Sequence, residues 1–156
     1  MEIRKLEPDS LPIPEILTLL EIARGLSSAQ PRWELLKREL EQYDAWAFYE
    51  RGMLLGYGLV NCFSSYFGGS VQVVELKYRW EYNQESTVTG MLCQIARIYR
   101  DKSDRMVIDI DIRRDLNRDL YQKLGFIPSV IPSLKDRNHK VLFTQMDSLL
   151  KNGFNA

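Results

Sequence analysis

One histidine, two cysteines and no long apolar run set the first bounds on this sequence of 156 residues. His139 stands alone in the polar turn KDRNHK, a surface position by its neighbours. A histidine-based triad or a histidine metal site is therefore set aside, and no metal is expected. Cys62 and Cys93 are too few and too unpatterned for a disulfide framework or a zinc site, and read as reduced, buried thiols of a cytoplasmic protein. No stretch reaches the ~18 apolar residues of a membrane span. The opening MEIRKLEPDS lacks the apolar core of a signal peptide. An excess of one charge is missing too, since 21 Lys and Arg face 21 Asp and Glu. Bulk electrostatics thus recruits neither nucleic acid nor an anionic membrane. No repeat or Gly/Ser linker divides the chain. Its length predicts one domain over residues 1–150 and a short, loosely held tail over 151–156.

What is present is periodicity. With 45% hydrophobic residues the chain can build a real core. Glu2 to Leu6 alternates as a short strand. Pro12 and Pro14 suit a helix start, and Ile13, Ile16, Leu17 and Leu20 share one face as far as Gly25. A second helix opens near Ser28 and Pro31, with Trp33, Leu36, Leu40 and Tyr43 on one stripe. Ala45 to Tyr49 and Leu54 to Phe63 then read as strands joined by the hairpin signal Glu50-Arg51-Gly52-Met53. Val71 to Tyr78 (VQVVELKY) is a further strand. From Val88 the spacing predicts a helix through Met91, Leu92, Ile95 and Tyr99, with cations near its end. Met106 to Ile112 alternates strictly as a strand. Asp115 can cap the next helix, which Gly125 closes with Phe126 beyond it. Ile127 to Ile131 and Lys140 to Met146 complete the set. The order β, α, α, β, β, β, α, β, α, β, β implies an α/β or α+β fold on one mixed, largely antiparallel sheet flanked by helices.

That order, together with LYQKLGF at Leu120 to Phe126, resembles the GNAT superfamily of N-acyltransferases, whose corresponding helix often ends in L-Y-x-K-L-G-F. A second likeness is Gln84-x-x-Thr87-x-Thr89-x-x-Leu92 after a strand, against the family's R/Q-x-x-G-x-G/A-x-x-L. Threonine holds both glycine positions here. Arg114 stands where the family often has Asn, with Asn117 nearby.

The resemblance implies transfer of an acetyl group from acetyl-CoA, a co-substrate, to a primary amine by direct attack. It implies that backbone amides of Gln84, Glu85, Thr87, Val88, Thr89 and Gly90 bind pyrophosphate. Backbone of Lys77, Tyr78 and Arg79 would line the pantetheine arm and Asn117 would bond it. Tyr121 would protonate the departing thiolate, a step open to a phenol of pKa ~10. Glu75 would take the amine proton. The acceptor is then a small-molecule or peptide amine, and the chain a monomer or a homodimer pairing through its late strands.

The residues themselves leave alternatives open. A helix N-terminus offers unpaired N–H groups and a positive dipole end to an anion, yet Ser86 or Thr87 is also a good N-cap. Threonine disfavours positive φ but is acceptable where the backbone is helical. Glu85 repels an anion unless it points away. Tyr121 could simply pack with its hydroxyl bonded to backbone. Glu75 could form a surface pair with Lys77, since alternation puts Val73, Glu75 and Lys77 on one face. Asp109 and Asp111 share a face of their strand and stand second as base or amine-binding groups. Trp33, Tyr43 and Trp46 could line an acceptor pocket or belong to the core. The competing function is a GNAT-shaped module without catalysis, binding acyl-CoA or a protein partner.

Overall fold

Arg51 and Gly52 turn the chain between two apolar runs, and the computed structural model gives them φ of 51° and 79°. Two positive φ values in a two-residue turn match the twist of the flanking strands. The structure describes residues 1–7, 38, 41–63, 69–78, 85–113, 115, 117–130, 133 and 136–154. These fall into two units, residues 1–61 with 75–83 and residues 62–74 with 84–156. The helices expected between Pro12 and Tyr43 lie almost wholly outside the described residues.

In the first unit, β1 (Glu2–Leu6) runs antiparallel to β2 (Asp44–Glu50), and β2 antiparallel to β3 (Met53–Phe63). Register passes from Phe48 opposite Gly56 to Tyr49 opposite Leu54, so Leu55 is the extra residue of a bulge. Ala47, Phe48 and Tyr57 are fully buried; each large apolar side chain so placed is worth roughly 1.5–3 kcal/mol of transfer free energy. At Gly56 a Cβ would lie 2.2 Å from the carbonyl oxygen of Lys77 and 2.9 Å from the Cα of Tyr78, both on β4 (Ser70–Tyr78). Glycine in mid-strand here marks a close backbone approach.

In the second unit, Ser70–Val73 of β4 pairs in parallel with Arg105–Ile108 of β5 (Arg105–Asp111). Parallel neighbours need a long crossover, and α1 (Glu85–Tyr99) lies in it. Its Val88, Met91, Leu92, Ile95, Ala96 and Tyr99 are buried, a helical spacing of apolar residues. Ser103 then donates its hydroxyl to the carbonyl of Gly69 at 2.6 Å, tying the turn before β5 to the start of β4. β7 (His139–Gln145) runs antiparallel to the whole of β5, and β6 (Ile127–Pro128) antiparallel to β7. Hydrogen bonding orders the strands β1-β2-β3-β4-β5-β7-β6 in a mixed sheet, and the described residues add the helices α1, α2 (Arg118–Lys123) and α3 (Met146–Phe154). No helix among the described residues is long and apolar enough to cross a membrane.

Two local expectations fail. The last strand ends at Gln145, and Met146 to Phe154 is a helix where strand and loose tail were expected. Met146 and Leu149 are buried at a spacing of three, and Asp147 and Lys151 complement the two dipole ends. Ile127 to Ile131 shrinks to a two-residue strand, with Ile131 outside the described residues.

Candidate active site

Helix α1 opens at Glu85, so Ser86 and Thr87 sit inside its first turn rather than capping it. Glu85, Ser86 and Thr87 are thus the helical residues whose N–H groups have no intrahelical partner, while Thr89 and Gly90 already belong to the hydrogen-bond ladder. Thr87 and Thr89 are helical, so neither needs the left-handed backbone that favours glycine. The carboxylate of Glu85 meets the Nζ of Lys123 at 3.4 Å, which offsets its repulsion of an anion at this helix end. Both side chains are well exposed, so the pair contributes little to stability.

A groove of about 510 Å³ runs along this face of α1, lined by Glu85, Ser86, Thr89, Gly90, Cys93 and Arg97 with Gly153 of α3. Gly153 lets the helices approach, since a Cβ there would lie 2.4 Å from the Sγ of Cys93 and 3.3 Å from the Cγ2 of Thr89. Burial pushes the Cys93 thiol up from its ordinary range, against a smaller opposing effect of Arg97. Thr89 is buried, and among the described residues its hydroxyl has no hydrogen-bond partner.

LYQKLGF has a folding role that explains its shape. Gly125 takes φ of 94°, its N–H bonds the carbonyl of Gln122 at 3.1 Å, and the N–H of Phe126 bonds the carbonyl of Tyr121 at 2.9 Å. These are the two hydrogen bonds of a Schellman stop. The accompanying apolar contact is the Tyr121 ring meeting Phe126 edge-on, 5.9 Å between centroids. Tyr121 is buried, and its hydroxyl donates to Oδ2 of Asp115 at 3.1 Å. Asp115 is therefore not the cap of α2. Its Oδ1 accepts the N–H of Asn117 at 2.8 Å, and Asn117 occupies the cap position without a capping side-chain bond. The chain makes a further turn before the helix, and the carboxylate is spent on that turn and on the phenol. Asn117 is itself buried.

On β4, Glu75 is no surface group, since only 15% of its side chain is exposed. Its Oε1 accepts the phenol of Tyr57 at 3.2 Å and lies 4.0 Å from the Nζ of Lys77, as the shared strand face requires. Sequence reasoning missed Tyr57 and gave Asp115 only a capping role. Gly56 was the available signal for the first, as a mid-strand glycine beside it. Nothing announced the second, because the Asp115–Tyr121 contact depends on an irregular turn.

The other carboxylates have partners of their own. Asp109 accepts from the Ser133 hydroxyl at 2.6 Å, though its Oδ1 is buried without a partner among the described residues. Asp111 accepts the backbone N–H of Arg113 at 2.9 Å, and this bond chiefly holds its carboxyl below the usual range. His139 is half-buried rather than a surface residue. Its Nδ1 lies 2.9 Å from Asp136, whose carboxyl it keeps low.

No family model matches the chain, and no curated protein matches it by sequence. Solved structures do match. The PaiA N-acetyltransferase of Thermoplasma acidophilum, in complex with coenzyme A, superposes with a TM-score of 0.70 at 14% identity over 92% of this chain and 98% of that one. A GNAT family acetyltransferase of Elizabethkingia anophelis with acetyl-CoA bound gives 0.64 at 12% identity over 92% and 97%. The aminoglycoside 6'-N-acetyltransferase of Enterococcus faecium gives 0.68 at 12% identity over 94% and 97%. The chain has the GNAT acetyltransferase fold. Within this GNAT fold, β4 carries Glu75, Lys77 and Tyr78, in the first unit. In the second unit, α1 carries Glu85, Thr87, Val88, Thr89 and Gly90, Asn117 precedes α2 and Tyr121 lies within it, and the Glu85–Lys123 pair links the two helices. Arg79 and Gln84 lie outside the described residues.

Proposed function

We propose that the chain is an acyl-CoA-dependent N-acetyltransferase acting on a primary amine of a small molecule or peptide. The observation that carries this is the whole-length likeness to acetyltransferases whose structures hold coenzyme A or acetyl-CoA. Because one fold hosts many functions, the reading also leans on the residues present. The opening turn of α1 has N–H groups for a pyrophosphate, and no side chain there is forced into a conformation that only glycine adopts. Lys123 stands beside Glu85 at the mouth. These features fit the anionic end of acetyl-CoA.

Acetyl-CoA would supply an acetyl group activated as a thioester. The first-turn amides of α1 would bind its pyrophosphate, the backbone of Lys77 to Arg79 would line its pantetheine arm, and Asn117 would bond that arm. Glu75 would accept the proton that the attacking amine sheds as the new C–N bond forms. Tyr121 would return a proton to the sulfur as the C–S bond breaks. To do so its hydroxyl must trade Asp115 for the sulfur, because a phenol has one proton to donate.

That hydrogen bond is also the observation favouring a second reading, a GNAT-shaped module that binds acyl-CoA without turnover. A calorimetric titration with acetyl-CoA and a thiol-release assay over an amine panel test both. Binding with release of CoA thiol for at least one amine is the expected result. Binding without release for any amine supports the module, and no binding at millimolar acetyl-CoA removes both readings.

A further inference from the structure

We propose that Tyr57 is a positioning residue for Glu75, fixing the direction in which that carboxylate presents itself to the acceptor amine. This rests on Glu75 being the group that takes the amine proton. The terminal torsion of a glutamate is broad and two-fold, so a half-buried carboxylate points one way only if something holds it. The phenol of Tyr57 supplies that hold with a 3.2 Å hydrogen bond to Oε1. The ring behind it is rigidly placed, since Tyr57 is fully buried and sits on β3 next to Gly56. Gly56 in turn lies so close to Lys77 and Tyr78 that the two strands cannot slide or part without losing the contact. Lys77 approaches the same oxygen at 4.0 Å, so both contacts converge on Oε1. β3 reads MLLGYGLVNCF and brings no Lys, Arg, Asp or Glu of its own. The phenol of Tyr57 is the β3 group that the structure places on Glu75.

The test uses the full chain with Tyr57→Phe, Glu75→Gln and the double variant. Phe keeps the ring, so burial is preserved while the donor is lost. Tyr57→Phe is expected to lower kcat about tenfold, as the loss of a hydrogen bond to a charged group suggests, with KM for acetyl-CoA changed less than about twofold. In the Glu75→Gln background the same change should cost nothing further, because residues acting through one another are not additive. A full repeat of the loss in that background, or no loss in the wild-type background, overturns the proposal. A wild-type rate for Glu75→Gln removes the base reading and this inference with it. A readout independent of turnover is the carboxyl carbon resonance of Glu75 in protein labelled at glutamate carboxyls, assigned by its disappearance in Glu75→Gln. Tyr57→Phe should move that resonance and leave the other glutamates in place; an unmoved resonance overturns the inference even if no acceptor has been found.

Discussion

Gly56→Ala is the sharpest perturbation of the scaffold behind Glu75. Two effects oppose each other. Alanine in a strand interior is preferred over glycine by about 0.5–1 kcal/mol, because the unfolded chain loses less freedom. Against this, the new methyl would stand 2.2 Å from the Lys77 carbonyl oxygen and 2.9 Å from the Tyr78 Cα. Both are backbone atoms, so no rotamer change relieves the overlap and β3 must move from β4. Overpacking costs typically ~1–3 kcal/mol, and a backbone-limited clash belongs at the upper end. The net is a destabilisation of about 2 kcal/mol. For a chain of this size that lowers Tm by roughly 4–8 °C. Gly52→Ala is the internal standard, since it meets no atom within 4 Å and suffers only from its φ of +79°, worth about 1 kcal/mol. Calorimetric melting of the two variants beside wild type decides the matter. If Gly56→Ala melts within a degree of wild type, or no lower than Gly52→Ala, the close approach of β3 and β4 is wrong. Its kcat, measured well below the melting range, should also fall, since Tyr57 cannot keep its place when Gly56 is displaced.

Tyr121→Phe is expected to lower kcat about tenfold or more while acetyl-CoA affinity stays within about twofold, the pattern of an interaction made only in the transition state; unchanged kcat removes the acid role. Asp115→Asn weakens the charge-assisted competitor for the phenol proton, so kcat should hold or rise by about twofold to fivefold. A loss as deep as that of Tyr121→Phe would show instead that Asp115 serves the reaction. For the cysteines, a thiol reagent at mildly alkaline pH should titrate exposed Cys62 at once and Cys93 slowly. Burial raises the Cys93 thiol above its ordinary value, so at a given pH less of it is the reactive thiolate, and equal rates for the two refute its placement.

The sequence was legible where one period dominated. Met106 to Ile112 alternates strictly, and β5 lies within one residue of it. The Arg51-Gly52 hairpin followed from turn chemistry, and α1 from its stripe. The C-terminal helix was not legible because nine residues hold too few turns for a periodic pattern, and β7 runs into it without a glycine or proline between them. The candidate site was legible to the extent that it was local in sequence. Glu75 and Lys77 share a face by alternation alone. Tyr57 could not be paired with Glu75, 18 residues away, without knowing the β3 to β4 register. Asp115 was misassigned for a related reason. A helix cap and a turn before a helix use the same Asp, and only the backbone between Asp115 and Arg118 tells them apart.

LYQKLGF illustrates how a recognised motif can be mostly about folding. Leu124 and Leu120 are buried, Gly125 supplies the left-handed residue, and Phe126 closes on Tyr121. Every position except Gln122 and Lys123 is thereby accounted for by the Schellman stop and the core. Lys123 has its own task beside Glu85. What the stop does for the proposed chemistry is indirect: it fixes the tyrosine ring, whose hydroxyl donates to Asp115 in this structure. On the proposed acid role, the availability of the Tyr121 proton then depends on a residue outside the motif, the carboxylate six residues upstream. A chain carrying the same motif with an apolar residue at the Asp115 position would present the same ring without this carboxylate as its acceptor. The rate difference between Asp115→Asn and wild type measures how much that commitment costs.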